Sequence, residues 1–329
     1  MKEETLLDIG EFECIHRIAH DLIYRPELVK LGTGDDGAVF MTPCGYDEVI
    51  STDTMVEGIH FTKRTMSAAD TGYHLCAVNF SDMAAMGAEP VSFVISAALP
   101  GDLSITWIES CYDGIRECCR EYSVNLLGGD ITGSKQGVIL TGTIVGIVPE
   151  NQAVKRSGAK EGDIVFVTGT LGDSSAGLSI LLDGKKEEYP MLAIRQQRPK
   201  PQIDFGRILR ESGASSLNDV SDGLSREINE IASASQVTIE LEKERIPLSD
   251  ELCRWGQDCG KEPFCFAING GEDYELVGTI SKKNWEYVKG IGGVTGIGHV
   301  TKAGKGQVFL KDKNSIKLLT IAGYDHFRS

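Results

Sequence analysis

Seven aspartates stand in short turns rich in glycine, serine and threonine, spread over two thirds of the chain. They are Asp35, Asp36, Asp53, Asp82, Asp130, Asp219 and Asp222. Gathered carboxylates repel one another by roughly 4 kcal/mol per pair at a separation of about 4 Å and an effective dielectric of about 20. A fold that brings them together therefore needs cations, and carboxylate oxygens are the hard ligands that Mg²⁺ prefers. Small neighbouring residues would admit a phosphate chain, so the pattern indicates a metal-dependent nucleotide site.

Length and charge limit the classes of protein to which the chain can belong. Its 329 residues exceed what one core usually organises, so we expect two domains. The net charge of −15 argues against binding to nucleic acid or to an anionic membrane, both of which require Lys and Arg. The best apolar stretch, residues 90–99, is too short to span a bilayer. The acidity fits a metal-rich site and equally fits a solvated acidic surface.

The nine cysteines indicate a reducing compartment. Their number is odd, they form no Cys-x-x-Cys pair, and the chain shows no signal peptide, so we expect free thiols in a cytoplasmic protein. None of them has a recognisable nucleophile context, and no Ser-His-Asp arrangement is evident. We therefore expect no covalent catalytic residue. Phosphoryl transfer by metals and positioning needs none.

Hydrophobic periodicity predicts an α/β first half and an α+β second half. In the first half we expect helices at 12–22, from the Ser67/Asp70 capping box to Phe80, and at 107–122, with strands at 48–53, 91–99, 125–128 and 138–148. In the second half we expect strands at 163–168, 237–241, 264–268, 275–279 and 307–310, helices after Gly172 and Asp222, and a turn at 290–298. Val-Pro-Glu at 148–150 predicts domains of residues 1–148 and 149–329.

The predicted strand at 138–148 has two different faces. Ile139, Thr141, Thr143 and Val145 alternate with smaller or more apolar residues along it. One thin domain could hardly cover the second face. We therefore expect this face, with the edge near residues 48–53, to pair across the two-fold axis of a homodimer.

Taken singly, most of the motifs also allow a plain structural reading. Gly129-Asp130 is most often just a turn, Asp222 is at least as good a helix N-cap, and Arg156 lies in an ordinary basic turn. Ser51-Thr52-Asp53 is more specific, because two hydroxyls and a carboxylate in succession can share one metal ion. His60 follows this segment, and a lone histidine is more often a surface or core residue than a ligand.

Taken together, the motifs run in order over nearly the whole chain. They are Gly34-Asp35-Asp36, Ser51-Thr52-Asp53 with its continuation to His60-Phe61, residues 78–88, Gly128-Gly129-Asp130, Arg156-Ser157-Gly158-Ala159, residues 167–174, Ser221-Asp222-Gly223-Leu224, residues 270–276 and Gly323-Tyr324-Asp325-His326-Phe327. This set resembles the thiamine-monophosphate kinase family of the aminoimidazole ribonucleotide synthetase superfamily. Residues 270–276 and the tail favour it over selenophosphate synthetase, which should also carry a reactive Cys or Sec near its N-terminus.

The resemblance implies an N-terminal α/β domain whose sheet pairs with its twin in a dimer, a C-terminal α+β domain, and ATP with metals in the cleft between them. By position it implies several Mg²⁺ ions, held by Asp36, Ser51, Thr52, Asp53, Asp82, Asp130, Asp219 and Asp222. It implies ATP contacts at Tyr112, Gly129, Asp130, Arg156 and Ser221, and contacts to thiamine monophosphate at His60 and Glu272. Ile321 stands where relatives can place an aromatic residue over the thiamine rings.

The implied reaction is ATP + thiamine monophosphate → ADP + thiamine diphosphate, the final step of thiamine diphosphate biosynthesis. The acceptor phosphate attacks the γ-phosphorus in line, and it needs no strong base because its second pKa is about 6. Two alternatives stay open from the residues alone. One is an amidine- or selenophosphate-forming ATPase of the same superfamily, and the other is a non-catalytic, metal-dependent binder of nucleotide or thiamine phosphate.

Overall fold

The computed structural model describes residues 4–32, 38–313 and 315–321. The α-helices in these ranges are α1 (Leu6–Ile18), α2 (Ala68–Ala85), α3 (Ile105–Glu121), α4 (Asp173–Asp183), α5 (Pro190–Gln197), α6 (Ile203–Glu211), α7 (Leu224–Ser235), α8 (Asp250–Cys259), α9 (Pro263–Asn269) and α10 (Lys282–Val288). The strands are β1 (Val29–Leu31), β2 (Val39–Phe40), β3 (Tyr46–Val56), β4 (Glu89–Pro100), β5 (Asn125–Ser134), β6 (Ile139–Pro149), β7 (Ile164–Thr168), β8 (Ala214–Asp219), β9 (Val237–Glu242), β10 (Leu276–Ile280), β11 (Val294–Ala303), β12 (Gln307–Asp312) and β13 (Ser315–Leu318).

The chain forms two compact units. Unit 1 comprises Met1–Met83 and Glu89–Asn151, and unit 2 comprises Ala84–Ala88 and Gln152–Ser329. The domain bounds 1–148 and 149–329 stay a prediction. None of the described helices is long and apolar enough to cross a membrane.

Unit 1 is built on a four-stranded sheet in the order β3-β6-β4-β5. Strands β4 and β5 run parallel, whereas β6 pairs antiparallel with both β3 and β4. Burial alternates along β6, with Leu140, Gly142 and Ile144 buried and the residues between them partly exposed. This alternation defines an inner face, which packs on helices, and an outer face.

Helix α2 lies on the inner face because glycines leave room for it. A Cβ at Gly142 would lie 2.6 Å from Asn79 Nδ2, and one at Gly146 would lie 2.5 Å from Met83 Sδ, both atoms belonging to α2. Phe80 of α2 meets Phe93 of β4 edge to face at 5.4 Å. This contact fixes the height of α2 over the middle of the sheet.

The outer face of this sheet carries threonines and exposed apolar side chains. Thr52 pairs with Thr143 and Thr54 with Thr141, with Oγ1 atoms 3.1 and 2.9 Å apart. Ile50 and Val94 are 71% and 38% exposed on the same face. Threonine ladders and open aliphatic groups are typical of a sheet surface that packs against another layer.

Most predicted elements of unit 1 are confirmed. The Ser67/Asp70 capping box is present, with the Asp70 N–H donating to Ser67 Oγ at 3.1 Å and the Ser67 N–H donating to Asp70 Oδ2 at 3.3 Å. The first helix begins earlier than predicted and ends at Ile18. Strand β5 extends to Ser134, because its pairing with β4 continues through the glycine-rich segment.

Unit 2 is built on a seven-stranded sheet in the order β13-β12-β9-β11-β7-β10-β8. Only β12 and β9 pair in parallel among its described strands. Each face has its own apolar core. Val165 and Val167 pack with Ile228 and Ile231 of α7, whereas Phe166 packs on the other side with Leu209 of α6. The unit is therefore a layer of strands between two layers of helices.

Two predictions for unit 2 are wrong. Residues 264–268 are helical, in α9, because Pro263 occupies its first turn and Ala267 and Ile268 face the core. The run 290–298 is not only a turn, since β11 begins at Val294. Its Gly298 is needed for close pairing, because a Cβ there would lie 2.2 Å from Glu240 O.

Candidate functional site

In unit 1, strand β3 and helix α2 bring three of the predicted metal ligands together. Ser51 and Asp53 alternate onto the inner face of β3, under α2. The Ser51 Oγ–H donates to Asp82 Oδ2 at 2.5 Å, and the Asp53 N–H donates to Asn79 Oδ1 at 3.1 Å. The Ser51 hydroxyl and the Asp82 carboxylate are therefore in contact next to the backbone of Asp53, and oxygen donors of this kind suit Mg²⁺.

Thr52 does not join that cluster through its side chain. Its Oγ1–H donates to Gly142 O at 2.6 Å, on the outer face of the sheet. Side chains alternate along a strand, so Ser51 and Asp53 point one way and Thr52 the other. The expectation that all three share one ion through their side chains is therefore not supported.

Gly129 lies at the same level of the sheet as Asp53 but at its opposite edge, and Asp130 lies one residue further, level with Thr54. The register runs from Asp53 to Gly142, then to Ile95, and then to Gly129. Three strand spacings make the backbone separation roughly 14 Å. Gly129 is required, because a Cβ there would lie 1.9 Å from Ile95 O. Asp130 is exposed and pairs with Ser96.

His60 sits in a tight turn that follows β3. Gly58, with φ +87°, begins this turn, and the Val56 N–H donates to His60 Nδ1 at 3.0 Å. Because Nδ1 accepts a hydrogen bond, a neutral imidazole carries its proton on Nε2. The turn therefore places a half-buried imidazole ring of defined tautomer at the end of β3, the strand that carries Ser51 and Asp53.

Tyr112 lies on α3, and among the described residues no hydrogen bond or ion pair links it to these carboxylates. It is half-buried on α3, and burial raises the pKa of its phenol, with Cys14 and Arg116 among the neighbouring groups. Asp36 lies outside the described residues. Within the described part of the chain, no three His, Cys, Asp or Glu side chains are close enough to hold a metal ion by themselves.

In unit 2, the loop between β8 and α7 carries three predicted site residues. Asp219 ends β8 and is 4% exposed, and Ser221 and Asp222 follow it. The N-cap of α7 is Gly223, with φ +103°, so Asp222 is not the cap. Asp222 instead lies 3.5 Å from Arg226 Nε, through its Oδ2.

A second segment, residues 270–275, holds this loop. The Glu272 N–H donates to Ser221 O at 2.6 Å, and the Tyr274 N–H donates to Val220 O at 3.0 Å. Glu272 and Tyr274 both have positive φ, +64° and +51°, which is uncommon for residues with side chains. The backbone thus places the predicted substrate residue Glu272 directly against the predicted nucleotide residue Ser221.

Arg156 joins the same site through two polar side chains that sequence reasoning missed. Its Nε–H donates to Asn218 Oδ1 at 2.9 Å, and Asn218 Nδ2 donates to Glu227 Oε2 at 2.5 Å. Glu227 also accepts from the Asp222 N–H at 3.2 Å. Nothing near Glu227 in the sequence marks it, because its role depends on a helix folding back onto β8.

Burial perturbs several carboxyls around this site. Desolvation raises the pKa of Glu227 to about 8, with Asp219 adding to the shift. Desolvation likewise raises the pKa of Glu275 to about 7, against the opposing effects of Thr168 and Arg195. It also raises the pKa of Asp273, even though that carboxylate accepts from two backbone N–H groups. Burial therefore favours the neutral, protonated form of these three carboxyls, as expected for acidic groups withdrawn from water.

Other residues were missed or lie apart. Asn79 was missed, although its place three residues before Asp82 on a helix could have indicated it. Gln196 was missed as well, and its Nε2 donates to Glu272 Oε2 at 2.6 Å. Ile321 is 54% exposed and follows β13, with no described contact to the β8–α7 loop.

Comparison with known proteins defines the class of this chain. Residues 34–148 match the family model of the AIR synthase related protein N-terminal domain, and residues 160–311 match that of its C-terminal domain. The two domains together identify an AIR synthase related protein. This confirms the predicted two-domain fold class.

Closer relatives narrow the class. Thiamine-monophosphate kinase of Bacillus subtilis (strain 168) is 38% identical over 330 residues, covering 97% of this chain and 100% of that protein. The crystal structure of thiamine-monophosphate kinase from Stenotrophomonas maltophilia K279a matches with a TM-score of 0.82 at 31% identity, covering 93% of this chain and 98% of that one. AaThiL complexed with AMPPCP and TMP matches with a TM-score of 0.77 at 35% identity, covering 99% and 100%. The chain belongs to the thiamine-monophosphate kinase family.

Proposed function

We propose that this protein transfers the γ-phosphoryl group of ATP to thiamine monophosphate, giving ADP and thiamine diphosphate in the last step of thiamine diphosphate synthesis. The observation that carries the proposal is the match over 99% of the chain to a solved structure of AaThiL complexed with AMPPCP and TMP. The oxygen-rich clusters of both units fit such a reaction, because phosphoryl transfer depends on positioning and charge neutralisation.

The proposal assigns the metal ions to both units. In unit 1 the ligands are Ser51, Asp53, Asp82 and Asp130, together with Thr52 and Asp36, and in unit 2 they are Asp219 and Asp222. Bound Mg²⁺ would neutralise the phosphate oxygens of both substrates. The hydrogen bonds from Ser51 to Asp82 and from the Asp53 N–H to Asn79 support the assignment, because they hold the inner-face oxygens in place before any ion arrives.

The same proposal assigns the organic substrates. Gly129, Asp130, Arg156 and Ser221 contact ATP, with Tyr112 included by resemblance, and His60, Glu272 and Ile321 contact thiamine monophosphate. Arg156 suits a phosphate contact because its side chain is 58% exposed, although its Nη1 lies 3.1 Å from Glu230 Oε2. Glu272 suits the substrate's aminopyrimidine because a carboxylate accepts from an amino group.

The transfer is direct in this proposal. The acceptor phosphate is already largely ionised near pH 7, since its second pKa is about 6, so the protein needs to supply no strong base. All nine cysteines are free, and Cys76, Cys111, Cys118 and Cys119 are buried with raised thiol pKa values, which disfavours a thiolate nucleophile. Free thiols also support a cytoplasmic location.

A homodimer through unit 1 completes the proposal. The outer face of the four-stranded sheet exposes Ile50 and Val94 beside the threonine pairs. A two-fold axis would bury the same patch of both copies. Light scattering at micromolar concentration should give twice the chain mass of 35.7 kDa, and monomers alone would contradict this part.

The test of the function is product identification. Purified protein with ATP, Mg²⁺ and thiamine monophosphate should form ADP and thiamine diphosphate in equal amounts, and excess chelator should stop the reaction. Aminoimidazole-ribonucleotide precursor and selenide serve as alternative acceptors. Turnover with either of these but not with thiamine monophosphate would replace the proposal, and binding without turnover would favour a non-catalytic protein.

A further inference from the structure

Glu272 is held by a polar chain that lies beneath it in unit 2. Gln196 of α5 is 1% exposed, and its Nε2 donates to Glu272 Oε2 at 2.6 Å. Ser174 of α4 is equally buried, and its Oγ–H donates to Gln196 Oε1 at 2.5 Å. Both ends of the Gln196 amide are therefore engaged away from solvent.

The direction of this chain follows from the chemistry of its members. An ionised carboxylate only accepts hydrogen bonds, so the nitrogen of the Gln196 amide must face Glu272. Its oxygen must then face Ser174, whose hydroxyl supplies the proton. A rotation of the amide by half a turn would set its oxygen against the acceptor-only carboxylate, so Glu272 selects the orientation, and the Ser174 hydroxyl anchors the other end of the amide.

Ser174 also holds the residue that follows Glu272. The Ser174 N–H donates to Asp273 Oδ1 at 3.1 Å, and the Gly172 N–H donates to Asp273 Oδ2 at 2.6 Å. The start of α4 is thus hydrogen-bonded to two consecutive residues, directly to Asp273 and through Gln196 to Glu272. Glu272 has the uncommon φ of +64°, a conformation that persists only where its surroundings hold it.

Helix α5 cannot easily shift to relax this arrangement. A Cβ at Gly177 of α4 would lie 2.1 Å from Leu192 O of α5 and 3.1 Å from Gln196 Cβ, so the two helix backbones are in direct contact. The position of Gln196 is therefore set by backbone packing rather than by its own flexible side chain.

We propose that Gln196, anchored by Ser174, is a positioning residue that fixes the Glu272 carboxylate and thereby sets the affinity for the phosphate-acceptor substrate. The inference rests on the proposed contact between Glu272 and thiamine monophosphate. Gln196 touches no substrate itself. Its loss should leave the ATP requirement unchanged, because it makes no described contact with Arg156, Asp219 or Ser221.

The test compares steady-state kinetics of Gln196→Met, Ser174→Ala and a control, Ser175→Ala. Methionine keeps the length of glutamine and removes both polar atoms. Ser175 is the neighbouring serine of α4, and its Oγ–H donates only weakly, to Gly172 O at 3.3 Å. Gln196→Met should raise the KM for thiamine monophosphate about 5- to 30-fold, as expected for one lost hydrogen bond to a charged group. Ser174→Ala should raise it by less, and Ser175→Ala should leave it unchanged.

The KM for ATP should stay within twofold in all three variants. In a Glu272→Gln background, Gln196→Met should add little, because its effect acts through the carboxylate. If Gln196→Met has its full effect in the Glu272→Gln background, or if the KM values for ATP and for thiamine monophosphate rise equally, the role of Gln196 is merely structural and the proposal is overturned. If Gln196→Met fails to fold, the Ser174→Ala and Ser175→Ala pair decides the matter alone.

The outcomes separate this inference from the proposed function. Wild-type protein that does not phosphorylate thiamine monophosphate would remove the function itself. Wild-type activity, with a raised KM in Glu272→Gln but a normal KM in both Gln196→Met and Ser174→Ala, would overturn only the positioning role.

Discussion

The two units prepare their parts of the site in different ways. Unit 1 uses the register of a sheet, since alternation along β3 puts Ser51 and Asp53 under α2 and pairing across the sheet puts Gly129 level with Asp53. Unit 2 uses loops, in which Ser221 and Glu272 meet through backbone hydrogen bonds and positive φ angles. A sheet gives fixed positions at little conformational cost, whereas such loops need buried polar side chains to hold them.

This difference has an electrostatic counterpart. Unit 2 buries Glu227, Asp273 and Glu275 among its supports, and desolvation raises the pKa of each. In unit 1, Asp130 is exposed at the sheet edge. We infer that the groups that shape the loops of unit 2 lower the free energy of unfolding more than the corresponding groups of unit 1 do. The predictions below test that contrast.

The largest effect is expected for Asp53→Asn in unit 1. The change keeps the side-chain size and removes the charge that faces the proposed metal, so activity should fall by about 10²- to 10³-fold, as for loss of a preorganised electrostatic group. The melting temperature should change little. Asp47→Asn is the control, since Asp47 lies on the same strand but is exposed and accepts from the Asn151 N–H. Near-normal activity of Asp53→Asn at saturating Mg²⁺ would remove Asp53 from the metal site.

The next effect concerns how tightly α2 lies on the sheet. In Gly142→Ala the new Cβ would lie 2.4 Å from Phe93 Cζ and 2.6 Å from Asn79 Nδ2. Overpacking of this kind costs about 1–3 kcal/mol, and it would displace the amide that binds the Asp53 N–H. Urea unfolding should show the loss, together with reduced activity. Gly133→Ala meets nothing within 4 Å and should be close to neutral. Equal midpoints for the two variants would mean that this contact is not tight.

A smaller effect is expected for pH and Glu275 in unit 2. Its pKa of about 7, against an ordinary 4.5, means that the folded protein keeps a proton that the unfolded chain releases between those values. The free energy of unfolding should therefore fall as pH rises through this window, by about 1–3 kcal/mol at most. Glu275→Gln removes this part of the slope and should be relatively more stable at pH 8.

The control for that measurement is Glu161→Gln, at an exposed position of the same unit. Denaturant unfolding between pH 5 and pH 8 should show the wild-type slope in this control. If Glu275→Gln shows the same dependence of unfolding free energy on pH as the wild type, burial of Glu275 does not destabilise unit 2 at high pH.

The contrast between the units also explains what the sequence could predict. Alternating residues predict strand β6, and the capping box predicts the start of α2. Both signals depend only on neighbouring residues along the chain, so they can be read from the sequence. The motif order was enough to name the family. The strand period would also have placed the Thr52 and Asp53 side chains on opposite faces, but the prediction treated them as one ligand group.

The supports of unit 2 could not be predicted in the same way. Gln196 and Glu272 are far apart in sequence, and only the folding of α5 against α4 brings them within 2.6 Å. The helix at 263–269 was taken for a strand because Phe264, Phe266 and Ile268 alternate with other residues, and only the tertiary core reveals its helical face. Local pattern carries no information about such contacts.

The most direct test of the proposed substrate contacts is to measure the affinities for both substrates in two variants, one from each unit. Calorimetric titration of Asp130→Asn and Glu272→Gln with Mg²⁺–ATP analogue and with thiamine monophosphate gives four values to compare with wild type. Asp130→Asn should weaken nucleotide binding most, and Glu272→Gln should weaken thiamine monophosphate binding about 5- to 150-fold, the equivalent of a lost buried polar partner, while nucleotide binding stays within twofold. Glu272→Gln that lowers only the melting temperature, with unchanged affinity for thiamine monophosphate, would contradict the account.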